Sequence, residues 1–282
     1  MMRHLQVQEL FERLDRLQTT TAREAIARLL RDDRFGEEGR LERFGFRAYS
    51  QSDEDGIIAE IFARIGATNR RFIEIGAGNG LENNTCYLLS QAWTGLWIEA
   101  DKKPSGIIRR EFNAPIAAGD LRFAQVLVTR ENVNRLIADA GMTGEIDLLS
   151  IDIDGNDYYV WEALAVVHPR VVVIEYNATF RPPLRRVQSY EPHGVWNRGN
   201  AFGASLSALE YLGKKLGYQL VATGLLGINA FFVRKELCAS HFVKEPDARR
   251  LFNTLAYDLL PGFGGGHRAS WQSAVEINAP TS

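Results

Sequence analysis

Arg71-Phe-Ile-Glu74-Ile-Gly76-Ala-Gly78-Asn-Gly80 is the stretch on which the reading of this chain turns. Phe72, Ile73 and Ile75 make a short apolar strand, and three glycines then alternate with other residues. Glycine carries no Cβ, so the backbone there turns sharply and comes close to a ligand. If a helix follows, its free N–H groups and dipole favour polar or anionic ligand groups. The spacing is G-x-G-x-G. A dinucleotide fingerprint, G-x-G-x-x-G, needs glycine at position 81, which is Leu81. That disfavours a pyrophosphate cradle and makes an NAD-dependent oxidoreductase the alternative rather than the first reading.

Working outward, Gly95 to Asp101 reads as a second strand carrying Glu99, 23 residues after Gly76. A carboxylate there accepts both hydroxyls of a ribose. Upstream, Ile57, Ile58, Ile61, Phe62 and Ile65 predict a helix stopped by Gly66, with Ser52 as its cap. Downstream, strands at 123–128, 147–154 and 170–177 alternate with helical segments at about 103–112, 133–137 and 158–167. A helix at 205–216 and an antiparallel hairpin, 218–223 with 228–234, complete the pattern. Alternation of this kind predicts a parallel sheet covered on both faces. Residues 1–48 read as two arginine-rich helices, with Val7, Leu10, Phe11, Leu14 and Leu17 on one face and a Thr21/Glu24 capping box opening the second. Residues 239–282 read as a tail, helical over 248–260. The expected division is therefore 1–48, 49–238 and 239–282.

The chemistry-bearing residues gather after the fourth and fifth strands. Asp152 and Asp154 are two apart, so in a strand they share a face, and they lie at a carboxyl end, where α/β sheets place ligands. Glu175 and Asn177 repeat that spacing on the neighbouring strand. Asp152, Glu175 and Asn177 are thus expected to hold a hard divalent cation, Mg²⁺ or Mn²⁺. Without a metal, Asp152 or Asp154 serves as general base; Asp157 reads as a turn and helix cap. Residues 178–203 read as a long loop in the position of a substrate lid. Arg185 and Arg186 are its candidates for an anionic group, Tyr190 and Trp196 for stacking on a sugar, and His193 for acid–base work. Asn229 opens the last strand and is a candidate to face the site.

The 282 residues carry a formal charge of −2, which argues against a chain whose main task is coating nucleic acid. Only 6 of the 33 basic residues are lysine, and no basic run is interleaved with aromatics. Cys86 and Cys238 have no metal-like spacing, which excludes a zinc finger or a C-x-x-C centre and fits a reducing, cytoplasmic setting. Residues 1–10 lack the apolar stretch of a signal peptide, and no run is long enough to span a bilayer.

Together, Glu-x-Gly-x-Gly-x-Gly, an acid ending the next strand, five alternating strands and a closing hairpin resemble a class I S-adenosylmethionine-dependent methyltransferase over about residues 49–237. More narrowly, Tyr49-Ser-Gln-Ser-Asp-Glu-Asp-Gly56, Asp152-Ile-Asp-Gly-Asn-Asp157 and Phe202-Gly-Ala-Ser205 resemble the FkbM-like group, whose members mostly O-methylate sugars or natural products. Asp154 stands where that group has Glu. The resemblance implies a Rossmann-like, doubly wound seven-stranded sheet, mostly parallel with an antiparallel last strand, preceded by N-terminal helices. It implies that Gly76, Gly78 and Gly80 line the methionine and ribose part of the cofactor. Glu74 supports the turn or the cofactor's amino group, and Glu99 holds the ribose. Asp120 or Thr129 contacts adenine, while Gln51 and Asp53 close over the cofactor. The acids after strands four and five are similar to those around Mg²⁺ in catechol-type and macrocin-type O-methyltransferases. The expected activity is methyl transfer to a hydroxyl of a saccharide or small molecule, with no nucleic-acid partner and a homodimer through the N-terminal helices. A non-catalytic nucleoside-binding protein is the other alternative.

Overall fold

A computed structural model of the chain describes residues 2–194, 199–200, 202–260 and 274–276. Trp196, expected to stack on an acceptor, lies outside the described residues.

The strands are β1 (Arg71–Ile75), β2 (Thr94–Glu99), β3 (Leu121–Gln125), β4 (Gly144–Ile151), β5 (Val167–Glu175), β6 (Arg186–Gln188), β7 (Tyr218–Thr223), β8 (Asn229–Arg234) and β9 (Ala274–Glu276). The helices are α1 (Met2–Leu29), α2 (Glu54–Ile65), α3 (Cys86–Ser90), α4 (Lys102–Glu111), α5 (Asn113–Ala118), α6 (Val133–Asp139), α7 (Asp157–Ala163), α8 (Leu206–Lys215) and α9 (Ala248–Leu251). Seven strands form one sheet in the order β3-β2-β1-β4-β5-β8-β7. The first five are parallel, and β8 runs antiparallel to both β5 and β7. This is the Rossmann-like, seven-stranded sheet with an antiparallel last strand that the motifs imply.

The pleat sorts successive residues to opposite faces. On β5, Val172 and Ile174 join the core under α6, α7 and α8, while Val171 and Val173 join the core under α2, α3 and α4. On β8, Phe232 faces the first layer, and Phe231 and Val233 the second. Strands buried on both faces need apolar side chains at every position, which is why these runs do not alternate with polar residues. The same alternation puts Glu74, Asp152 and Glu175 on the α2 side at or just beyond the carboxyl ends of their strands, and Asn229 beside Glu175 at the amino end of the antiparallel β8.

The amino ends of the central strands are held by a buried pair. Asp147 accepts from the N–H groups of Thr68, Asn69 and Arg70 and from Arg170 Nη1 at 2.8 Å. Although burial raises the Asp147 carboxyl, the Arg170 bond and those N–H donors bring it below its ordinary value. Arg40 and Glu42 form a second buried pair, 2.9 Å apart.

Several expectations about elements are corrected. Residues 2–29 form one helix rather than two: threonine costs only a few tenths of a kcal/mol in a helix, and no glycine or proline breaks Thr19–Thr21. Ser52 does not cap α2; its N–H donates to Glu54 Oε2, and Asp53 is the capping position. The helix expected over 248–260 stops at Leu251, because tertiary bonds hold the chain beyond it: Tyr176 donates to the Asn253 carbonyl, and Asn253 Nδ2 donates to Thr223 Oγ1. The loop 178–203 contains β6, which pairs with β9. Among the described residues no helix is long and apolar enough to cross a membrane.

Candidate active site

The glycine turn leaves β1 and is held from β2. Gly76, Gly78 and Gly80 all have positive φ (87°, 55° and 78°). Gly76 cannot be replaced without movement, since a Cβ there would lie 1.7 Å from the Asp152 carbonyl oxygen. Glycine at this position lets β1 and β4 converge where the acidic turn begins. Gly78 N–H donates to Glu99 Oε2 at 2.8 Å, and Asp101 N–H to Glu99 Oε1 at 2.8 Å. Glu99 therefore clamps the turn, and its remaining lone pairs are available to hydroxyl donors. Partial burial raises the Glu99 carboxyl, against the lowering by these N–H groups.

Of the two tasks considered for Glu74, the hydrogen bonds show the support of the turn. It is buried, and its oxygens accept from Asn84 N–H (2.8 Å), Thr85 N–H (3.1 Å) and the Thr85 hydroxyl. Trp97 Nε1 donates to the same hydroxyl at 2.7 Å, and Asn84 Nδ2 to Ser150 Oγ at 3.1 Å. Glu74 thus ties the return of the glycine loop to β1, β2 and β4. Burial pushes its carboxyl up to about 7. Sequence reasoning singled out neither Thr85 nor Trp97, because only the packed loop brings them to Glu74.

Of the two residues considered for adenine, Asp120 precedes β3 at its amino end, with its carbonyl accepting from Gly95 N–H at the start of β2. That is the wrong end of the sheet for a partner of Glu99, and Asp120 is corrected on this ground. Thr129 follows β3 at the carboxyl end and is buried. Gln51 is half-buried in the segment before α2, which is joined to the glycine loop by Asn83 N–H on the Tyr49 carbonyl and by the Arg47–Glu82 pair.

One oxygen from each of Asp152, Asp154 and Glu175 lies within 4.8 Å of the other two. The amide of Asn177, expected in this group, is engaged by the loop that follows β5. Its Nδ2 donates to the carbonyls of Asn200 and Phe202, and its Oδ1 accepts from Thr179 N–H, so it organises the following loop. Asn177 lies two residues beyond the end of β5, where the following loop takes its amide, whereas Asp154, at φ 55° after β4, swings back towards Asp152. Asp157 caps the turn, accepting from Ile153 and Gly155 N–H groups.

Burial, then the neighbouring Asp154, raise Asp152 well above the usual carboxylate range. Burial and Asp152 do the same to Glu175. Asp154 reaches solvent; its partly walled-in carboxyl, beside Asp157, is raised to about 6. Asp53 and Glu54 arrive at the same edge from the start of α2. Asp53 Oδ2 accepts from Leu225 N–H at 2.8 Å, and Asn229 Nδ2 donates to Glu54 Oε1 at 3.0 Å. Burial and Glu54 push Asp53 up to about 7. Glu54 was not singled out as a site residue in the sequence. Tyr257, from the tail, is a further neighbour: burial and then Glu175 raise its hydroxyl.

The loop expected as a lid lies across the acidic turn. Asn156 Nδ2 donates to the Glu191 carbonyl at 2.8 Å and Tyr159 hydroxyl to the Gln188 carbonyl at 2.8 Å. Arg185 stacks on Tyr211 and Arg186 on Phe180. Tyr190 packs between Arg130 and Tyr159 and donates to Glu131. Tyr190 is thus occupied in holding the loop to the turn after β3. His193 is exposed, and among the described residues no hydrogen bond or ion pair joins it to the acids.

Neither a protein-family model nor a curated protein matches the sequence. Among solved structures, the chain is similar to an O-methyltransferase from Bacillus cereus in complex with SAH, with 14% identity over 76% of this chain and 88% of that one and a TM-score of 0.42. It is also similar to the glycopeptide N-methyltransferase MtfA complexed with S-adenosyl-L-homocysteine (13% identity, 69% and 95% covered, TM-score 0.40). A third is an S-adenosylmethionine-dependent methyltransferase from Clostridium acetobutylicum (10% identity, 62% and 88% covered, TM-score 0.39).

Proposed function

We propose that the chain is an S-adenosylmethionine-dependent O-methyltransferase acting on a hydroxyl of a saccharide or small natural-product-like acceptor. The observation that carries this reading is the Glu99 clamp on Gly78, beside a carboxylate group two strands away. Glu99 and the three glycines bind the nucleoside and methionine part of the cofactor, with Gln51 and Thr129 at its borders. The cofactor would supply an activated methyl group, which an acceptor oxygen would take as the carbon–sulfur bond breaks and its electron pair stays on sulfur. The acceptor's proton passes to a carboxylate. Asp154 fits this role, because a carboxyl near 6 is ionised at neutral pH and is a stronger base than an ordinary aspartate. The sulfonium is already activated, so alignment supplies most of the remaining rate. Arg185, Arg186, His193 and Asn229 are the acceptor-side candidates, with Tyr190 positioning their loop.

A divalent cation on Asp152, Asp154 and Glu175 is a second reading, favoured by the proximity of their oxygens. The cation would supply a Lewis acid for the acceptor hydroxyl.

Titration calorimetry tests the proposal. S-adenosylmethionine is expected to bind in the micromolar range and NAD⁺ not at all. Glu99→Ala should weaken binding at least about tenfold, the loss of a charge-assisted hydrogen bond. Binding of neither cofactor to folded wild-type protein would remove the reading.

A further inference from the structure

The fold treats its carboxylates in two ways. Away from the cleft, Asp147 has Arg170 and Glu42 has Arg40. At the carboxyl edge, Asp53, Glu54, Asp152, Asp154 and Glu175 form no ion pair among the described residues. The charged neighbours that perturb Asp53, Asp152, Asp154 and Glu175 are other carboxylates. The amino end of α2 supplies about half a positive charge there. A second, independent feature is the set of open polar atoms. Glu175 Oε2, Asn229 Oδ1 and Asp53 Oδ1 are buried without a hydrogen-bond partner. Asn229 is 2% exposed and is the cross-strand partner of Glu175, so the two side chains leave the same face side by side. Its Nδ2 is engaged by Glu54, which leaves Oδ1 open beside Glu175. Asp53 Oδ1 lies across Gly224 from the Asn229 backbone.

With the carboxyls ionised, as a bound cation would favour, every one of these open atoms is an acceptor. A ligand that satisfies them must bring donors, and a compensating ligand must bring positive charge. An ammonium group does both, with three donors and no acceptor. Glu175 and Asn229 sit on β5 and β8, three strands from the Glu99 clamp on β2 in the case of β5; at about 4.8 Å per strand this is the acceptor side of the cleft. We infer that the acceptor is a hydroxylated amine, such as an amino sugar, whose ammonium is held by Glu175, Asn229 and Asp53. The inference rests on the methyltransferase reading for the fate of the acceptor, but not for its binding.

The test uses full-length, metal-free protein and three probes: D-glucosamine, D-glucose and N-acetyl-D-glucosamine. Affinities are read by calorimetry with S-adenosylhomocysteine present and absent. Glucosamine should bind at least about tenfold more tightly than the two neutral sugars, the expected margin for hydrogen bonds to a charged group. Glu175→Gln and, independently, Asn229→Leu should remove that margin, while S-adenosylmethionine affinity stays within about twofold; circular dichroism checks the fold. Equal binding of the three sugars, binding of none, or a margin that survives both variants would overturn the inference. So would displacement of glucosamine by 1 mM Mg²⁺ with loss of Mg²⁺ binding in Glu175→Gln, which would assign the site to a metal. Failure of S-adenosylmethionine to bind while the glucosamine margin persists would count against the methyltransferase reading alone.

Discussion

Gly76 and Glu74 show how much a single position decides. A methyl group at residue 76 would meet the Asp152 carbonyl at 1.7 Å, on a backbone with φ 87° that L side chains avoid. Gly76→Ala is therefore expected to cost about 3 kcal/mol, combining left-handed strain with overpacking. Urea denaturation beside wild type measures it, and a loss below about 1 kcal/mol would mean that β1 and β4 separate easily. Glu74 sets a pH dependence. Its carboxyl stands at about 7 in the fold, against 4.5 ordinarily. The folded chain thus keeps a proton that the unfolded chain has released. The associated stability is fully present below about pH 4.5 and is lost as pH rises towards about 7, by at most about 1.4 kcal/mol per pH unit. Urea midpoints at pH 5 and pH 7.5 should fall in that order, and Glu74→Gln should flatten the difference. A midpoint that rises with pH would mean that the carboxylates of this edge are ionised in the fold. At this scale the sequence was legible where a residue acts through its own backbone, as at Gly76, Gly78 and Gly80. It was not legible where the partner comes from a distant element. Glu74 reads equally well as a cofactor ligand until Thr85 and Trp97 are seen to enclose it.

At the scale of elements, the central strands were readable because burial on both faces demands unbroken apolar runs, and Val171 to Ile174 is such a run. Their amino ends depend on one ion pair. Arg170→Met leaves Asp147 buried with N–H donors but no positive charge, and is expected to cost about 3 kcal/mol. Arg234→Met, which breaks a pair with the exposed Glu145, should cost less than about 1 kcal/mol. Thermal melts of the two variants compare them, and equal losses would contradict a special role for Asp147. The elements misread from sequence are those that local propensity does not control. Thr19–Thr21 stay helical because nothing stronger interrupts them. Residues 252–260 leave the helix because Tyr176 and Thr223 bind Asn253. β6 exists because Ser205 and Gly203 supply partners for its backbone and β9 lies alongside.

For the whole molecule, ligand linkage gives a direct expectation. If S-adenosylmethionine binds only the folded chain, a concentration one hundred times its Kd should stabilise the protein by about 2.7 kcal/mol. A thermal shift that is absent in Glu99→Ala checks this, and an equal shift in that variant would place the ligand elsewhere. α1 carries Leu10, Leu14 and Leu17 at 57%, 52% and 64% exposure, a row of apolar side chains with spacings of four and three. Such a row is covered when two helices pair. Light scattering is expected to give a dimer, and Leu10, Leu14 and Leu17→Ser together a monomer. A monomeric wild type would sink this expectation.

The sequence by itself determined the sheet, its antiparallel last strand and the glycine turn, because two-faced burial and missing Cβ atoms leave their mark at each position. It also placed the acids at the carboxyl ends of β4 and β5. Only the tertiary structure decided which acids meet. Asp154 joins Asp152 and Glu175 because a left-handed residue bends the chain after β4, while the Asn177 amide, beyond the end of β5, holds the next loop. It alone brings Asp53 and Glu54 to Asn229, 175 residues away along the chain in the case of Glu54. Pairings across such separations depend on how helices dock on the sheet, and no local pattern encodes them.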